Sequence, residues 1–315
     1  MNTHEILSET LGKDRVLADK NLFSYLTLRT STVAEYFFEA HTKEDLLLAI
    51  RTAKKLNIPF TMIGGGSNIA ATKNKIPGLV IKNNYANLEL IKDEKEYAEV
   101  LVSSGYTITL LVNKTIEKGW GGFEHHEGLP GTMGGAIYMN SKWTHPWSYV
   151  SDPLISANLL DASGELKTVT RDYFNFAYDY SILQKTHEVF IDGVFRLEKK
   201  DPAILKEQSH ETMLYRRQTQ PFGEATCGCF FRNISKEDQD RLQLPTSSSG
   251  YLIDQVGMKN KGVGAFVISP VHANFIINTG KMEGNTADLL QLVKEIKEKV
   301  SQKFGIQLVE EVVVV

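Results

Sequence analysis

An α+β fold is what this sequence predicts, and three patterns point to it. Apolar residues recur at helical spacing from Thr42 to Ile58 and again after Thr286. Short apolar runs alternate with asparagine and charged turn residues from Leu79 to Val102, as in successive strands. Ile155 to Val169 reads as a hairpin, with Ala162-Ser163-Gly164 at its turn.

Taken in order, Thr42 can cap the first helix, with Asp45 three residues on and Leu46, Ala49, Ile50, Ala53 and Leu56 forming its apolar stripe. Phe60-Thr61-Met62-Ile63 is then a short buried strand running into Gly64. Thr107 to Glu117 suits a second helix, closed by Gly119, and Val189 to Leu197 suits a further strand. The charged stretch from Asp201 to Gln220 shows no strand alternation and reads as the connection between domains. Thr286 is the expected cap of a long helix carrying Leu289, Leu290, Val293, Ile296 and Val300. Gly305 ends that helix, and Ile306 to Val315 has high β-propensity and reads as a terminal strand. A larger first lobe, residues 1–200, and a second lobe, residues 201–315, follow from this order.

Composition narrows the function. The chain has 315 residues, 42% hydrophobic and 23% charged, with a formal net charge of −3. Such a balance carries no electrostatic commitment to nucleic acid or to an anionic membrane. No apolar run approaches the roughly 18 residues of a membrane span. The first residues lack the basic stretch and apolar core of a secretory signal. The only cysteines, Cys227 and Cys229, flank one glycine, too tight a loop for an unstrained bridge. The cytoplasm is the natural compartment.

Two glycine-rich segments carry the strongest functional signal. Gly64-Gly65-Gly66-Ser67-Asn68 follows a strand and can expose successive backbone N–H groups as a nest for phosphate oxygens. It fits neither the G-x-G-x-x-G pattern, because position 69 is Ile, nor a P-loop. Alone, it is equally well a tight structural turn. The second segment, Gly128-Leu129-Pro130-Gly131-Thr132-Met133-Gly134-Gly135-Ala136, describes a backbone that approaches something closely. Two such loops in one lobe suit an extended diphosphate ligand; close packing of strand on helix is the alternative.

With these loops, the blocks Gly122-Phe123-Glu124, Met139-Asn140, Gln220-Pro221, Gly228-Cys229-Phe230-Phe231-Arg232-Asn233, Leu252 to Lys259, His272 to Asn278, Phe304-Gly305-Ile306 and Glu311-Val312 appear in a family's order along nearly the whole chain. The chain resembles the UDP-N-acetylmuramate dehydrogenases, also called UDP-N-acetylenolpyruvoylglucosamine reductases. The resemblance implies a first lobe that binds FAD in the vanillyl-alcohol-oxidase (PCMH) manner, with two subdomains. It implies a smaller α+β substrate lobe whose terminal strand returns to the active site. The reaction it implies uses NADPH to reduce the flavin, which passes hydride to the enolpyruvyl C3 of a UDP-sugar, with protonation at C2, in peptidoglycan precursor synthesis. Gly64 to Asn68 and Gly128, Pro130, Gly131, Thr132, Gly134, Gly135 and Ala136 are then the FAD-binding positions.

Under the resemblance, Cys229 falls at the proton donor's position. A thiol of pKa about 8.5 is a far better acid than a hydroxyl; a small residue packed in a glycine-flanked turn is the competing reading. Glu311 aligns with a catalytic glutamate. It shares a strand face with Val309 and Val313, which would desolvate it, while Glu310 competes if the register shifts by one. Asn233 and Tyr178 match substrate positions, and Arg217 suits a diphosphate, unless it merely covers the lobe surface. His125 and His126 are expected to be solvated or satisfied locally, and His272 to be structural.

Three departures stand out. Tyr178-Asp179-Tyr180-Ser181 occupies the place of a Tyr-Arg-x-Ser motif, so Asp179 reverses a charge beside a developing enolate. Thr27 to Thr32 replaces a Gly-Gly pair, and Ser141-Lys142 follows Asn140 where Ala-Gly is usual. A diverged reductase in which Arg171, Arg217 or Lys142 restores the charge is the reading adopted. A flavoenzyme for another substrate and an inactive flavin- or nucleotide-binding homologue are the alternatives.

Overall fold

Thr42 starts the first long helix as its sequence predicts. Its hydroxyl accepts from the Asp45 amide at 3.1 Å, and Leu46, Ala49, Ile50 and Ala53 are buried along one face of Lys43–Lys55. The computed structural model describes residues 2–280 and 284–315. Its chain divides into two units: residues 2–19, 35–65 and 77–216 in the first, and 20–34, 66–76 and 217–315, as far as described, in the second.

The first unit holds two cores. One lies under the Lys43–Lys55 helix and joins Leu7, Phe38, Leu79 and Ile81 to it. Beside it runs a sheet in the order Val16–Asn21, Val33–Ala40, Lys75–Asn83, Phe60–Ile63, the last two parallel. The other core gathers Val100, Phe123, Ile137, Phe174 and Phe195. Its six-stranded sheet includes the expected hairpin, Leu154–Leu160 against Leu166–Thr170, and the strand Val189–Lys199 beside Tyr97–Ser103. The second unit is built on a four-stranded antiparallel sheet, ordered Ala225–Cys229, Phe275–Asn278, Phe266–Ile268, Gly262–Val263, with the helix Thr286–Phe304 buried against its core.

Several expectations change. Residues 201–220 are not an open connection: Pro202–Thr219 is an 18-residue helix, and the division falls after Arg216 rather than at 200. That helix buries Leu205, Ser209, Thr212 and Arg216, a stripe with one apolar member, so hydrophobic periodicity had nothing to reveal. The second unit also takes Lys20–Ala34 and Gly66–Ile76 from early in the chain. Asn285 rather than Thr286 caps the last helix, accepting from the Ala287 amide at 2.8 Å; Thr286 turns its hydroxyl to Asn74. Leu290 is 47% exposed on that helix, and Leu292 takes the buried place. The terminal segment forms only Val313–Val314, parallel to Ile69–Ala70.

Candidate active site

The two glycine segments lie against each other within the first unit. A methyl group on Gly65 would come to 2.5 Å from the Gly131 Cα, and one on Gly64 would strike the Thr132 hydroxyl. Backbone meets backbone there, and only glycine permits it. Thr132 heads the short helix Met133–Met139 without capping it through its side chain, its hydroxyl lying beside Gly64 instead. The remaining glycines divide. Gly128, at φ +73°, abuts Met213 and Arg216 of the Pro202–Thr219 helix, and Gly134 abuts Ser104, whose carbonyl takes its amide at 2.8 Å. The close approach at these two glycines is to protein. Gly135 meets nothing nearer than 3.9 Å. In the second unit, Gly66 adopts φ +65° against the Tyr25 carbonyl, and its own carbonyl accepts from the Thr27 amide at 3.1 Å. Within the stretch that replaces a Gly-Gly pair, Arg29 takes φ +56°, so the backbone there keeps a left-handed conformation without glycine.

Sequence reasoning missed Lys82. It lies opposite Ile63 in the parallel pair, and its ammonium donates to the Gly64 carbonyl. A trans peptide points its C=O and the next N–H in opposite directions, so this bond aims the Gly65 amide away from Lys82. Burial lowers the Lys82 pKa, against the opposing charge of Glu39. The available signal was one lysine ending the apolar run Leu79-Val80-Ile81. The glycine cradle and the hydroxyl fit the diphosphate of a dinucleotide such as FAD, and Lys82 orients the cradle's backbone from behind.

Asp179 is buried, adopts φ +50°, and is ion-paired to Lys142. Its second carboxylate oxygen, Oδ2, is buried and accepts no hydrogen bond among the described residues. Lys142 stands over the Tyr178 ring at 3.9 Å, and that ring is 38% exposed. Of the three cations expected to restore the missing charge, Lys142 is the one at Asp179. Arg171 instead donates to the Ser151 carbonyl at 3.0 Å, and Arg217, in the second unit, lies over Phe222.

Within the second unit, the segment after Cys229 runs beside the terminal segment. Glu311 donates its amide to the Phe230 carbonyl at 2.9 Å, and Phe231 pairs with Glu310. Leu308 and Val312 are buried, Val309 is 58% exposed, and Glu311 and Val313 are half-buried. Glu310 is engaged by Lys297 at 2.6 Å. The two cysteines separate at Gly228, whose φ of +85° coincides with a register shift. Cys227 is buried, its thiol pushed up to about 12 by that burial, while Cys229 is half-buried. Asn233 accepts from the Ser249 amide at 3.2 Å.

His126 departs from expectation. It is fully buried, its pKa lowered to about 3 by burial and then by the charge of Arg216. His125 is lowered in the same direction by burial. His272 accepts from the Asn274 amide at 3.2 Å and packs on Phe275, a structural arrangement.

Residues 220–315 match the family described as UDP-N-acetylenolpyruvoylglucosamine reductase, C-terminal domain, and residues 34–170 match an FAD binding domain. A UDP-N-acetylenolpyruvoylglucosamine reductase of Bacillus subtilis is 31% identical, with 99% of this chain and 97% of that protein aligned. The chain belongs to the UDP-N-acetylenolpyruvoylglucosamine reductase family. A second reductase, from Protochlamydia amoebophila, is 34% identical across 89% of this chain and 87% of its own. The fold agrees: the reductase from Thermus caldophilus superposes with a TM-score of 0.75 over 95% of this chain and 97% of that one, at 24% identity. For a reductase, Asp179 and Lys142 are the residues that need explanation.

Proposed function

We propose that this chain reduces the enolpyruvyl ether of UDP-N-acetylenolpyruvoylglucosamine to UDP-N-acetylmuramate, a step of peptidoglycan precursor synthesis, with NADPH as hydride source. The observation that carries the reading is the meeting of Gly65 with Gly131, which makes one backbone cradle of two loops. FAD held there supplies the two-electron chemistry between the nicotinamide and the enolpyruvyl group. Gly64, Gly65, Gly131, Thr132 and Gly135 form the cofactor-facing part of the cradle in the first unit.

The second unit is the substrate unit in this reading. Cys229 gives the proton to C2, supported by its half-buried position where Cys227 is sealed. Glu311 is its acid–base partner, supported by the engagement of Glu310 elsewhere. Asn233 and Arg217 take the nucleotide-sugar. The reaction belongs in the cytoplasm, where NADPH and UDP-sugars are supplied.

The test is an anaerobic assay of the purified flavoprotein. NADPH should bleach the flavin and UDP-N-acetylenolpyruvoylglucosamine should restore its colour within turnover time. Bleaching without restoration sinks the reductase reading and leaves a flavoenzyme for another substrate. That second reading has Asp179 in its favour, since an acidic group suits a substrate without a carboxylate.

A further inference from the structure

We infer that Lys142 is the cation that meets the substrate carboxylate in this chain, and that Asp179 is the residue that positions it. The inference rests on the reductase reading above. A buried ion pair is costly to desolvate and is retained where each charge has further partners or a task. Here the carboxylate keeps one oxygen buried and unsatisfied, and sits in a left-handed backbone conformation that aspartate adopts only at a cost. The left-handed backbone belongs to the tight turn in which Ala177 and Tyr180 exchange hydrogen bonds at 3.1 and 3.2 Å, so the feature left to explain is the buried carboxylate with its open oxygen.

Its placement is well determined. The turn bearing Asp179 is tied to the end of the Met133–Met139 helix: Asn140 Nδ2 donates to the Ala177 carbonyl at 2.9 Å, Ser181 Oγ to the Tyr138 carbonyl at 2.7 Å, and Gln184 Nε2 reaches both the Tyr138 carbonyl at 3.1 Å and the Asp179 carbonyl at 2.9 Å. That helix begins at the glycine cradle and is about 10 Å long at 1.5 Å per residue. Lys142 follows the far end of that helix by three residues. Asp179 and the Tyr178 ring hold it from two sides, and its side chain is 14% exposed.

The chemistry asks for a cation. When hydride forms the new C–H bond at C3, the alkene electron pair moves to C2 and spreads into the attached carboxylate. The proton that joins C2 then discharges it. A fixed positive charge beside that carboxylate favours the charged stage over the ground state. Lysine delivers this as a point charge on a flexible stem, so it needs an anchor, and the aspartate at 179 provides one. The two departures from the family pattern, at 142 and 179, are thus one change seen twice.

Lys142→Met, Lys142→Arg and the double variant Lys142→Met/Asp179→Asn separate the possibilities. The double variant removes both charges, so no lone buried carboxylate confuses the result. Single-turnover kinetics should show flavin reduction by NADPH within about twofold of the parent. Reoxidation by the enolpyruvyl substrate should slow about a hundredfold in Lys142→Met and in the double variant, with most of the rate kept by Lys142→Arg. Calorimetry should show UDP-N-acetylmuramate binding weakened about tenfold while UDP, which lacks the carboxylate, binds unchanged. Parental reoxidation rates, or equal weakening of UDP and product, overturn the inference. Failure of the unaltered protein to reoxidise at all would instead strike the reductase reading itself.

Discussion

The carboxylate at position 179 stands against the Lys142 ammonium. The identities of both residues were plain in the sequence, but their pairing joins positions 37 apart and depends on a left-handed turn no periodicity announces. Asp179→Arg should accordingly lower turnover, by setting like charges together, instead of restoring it; a steady-state assay decides. Cys229 and Glu311 were singled out by their motif blocks, and the Phe230 and Phe231 pairings place residues 310 and 311 beside the segment that follows Cys229. Cys229→Ala should leave flavin reduction by NADPH unchanged and slow substrate turnover about a hundredfold, the scale of a lost general acid. Lys82 was illegible because its task is to hold one carbonyl. Lys82→Met should weaken FAD binding about tenfold, readable by flavin fluorescence titration of the apoprotein, since a charged hydrogen bond contributes about 1.5–3 kcal/mol.

Among elements, the helices Lys43–Lys55, Ile108–Glu117 and Thr286–Phe304, each with an apolar stripe, were readable, and Pro202–Thr219, with a polar one, was not. Pro202–Thr219 buries Ser209, Thr212 and Arg216; Arg216 Nε donates to the Glu127 carbonyl at 2.9 Å, and the guanidinium lies over the Trp143 ring at 4.2 Å. Such specific pairing is invisible to any hydropathy pattern. The second glycine segment was readable as a place of close approach, yet the approach is to protein at Gly128 and Gly134. This distinction is testable within the helix Met133–Met139. Gly135→Ala meets no protein atom closer than 3.9 Å and gains helix propensity of up to about 1 kcal/mol. It should raise the apoprotein's melting temperature while weakening FAD binding. Gly65→Ala should abolish FAD binding, because its methyl cannot share space with Gly131 at 2.5 Å.

At the scale of the molecule, acid sensitivity follows from a sealed histidine. His126 has a folded pKa of about 3 against about 6.5 unfolded, so the unfolded chain takes the proton first. Stability is complete above about pH 6.5 and falls as pH drops toward 3, by about 2 kcal/mol at pH 5. His126→Gln should flatten the dependence of melting temperature on pH between 7 and 5. The α+β class and the order of elements were evident from the sequence; the partition of the chain was not, because segments 20–34 and 66–76 join a unit whose bulk lies after residue 216. Leu28 and Ala70, from those segments, sit in the core built by Phe230, Leu252 and Val293. No single cut therefore yields a self-sufficient half. A gene that acquired its last hundred codons from a distant relative would inherit a core with two foreign walls, so such lineages are expected to descend whole rather than by exchange of modules.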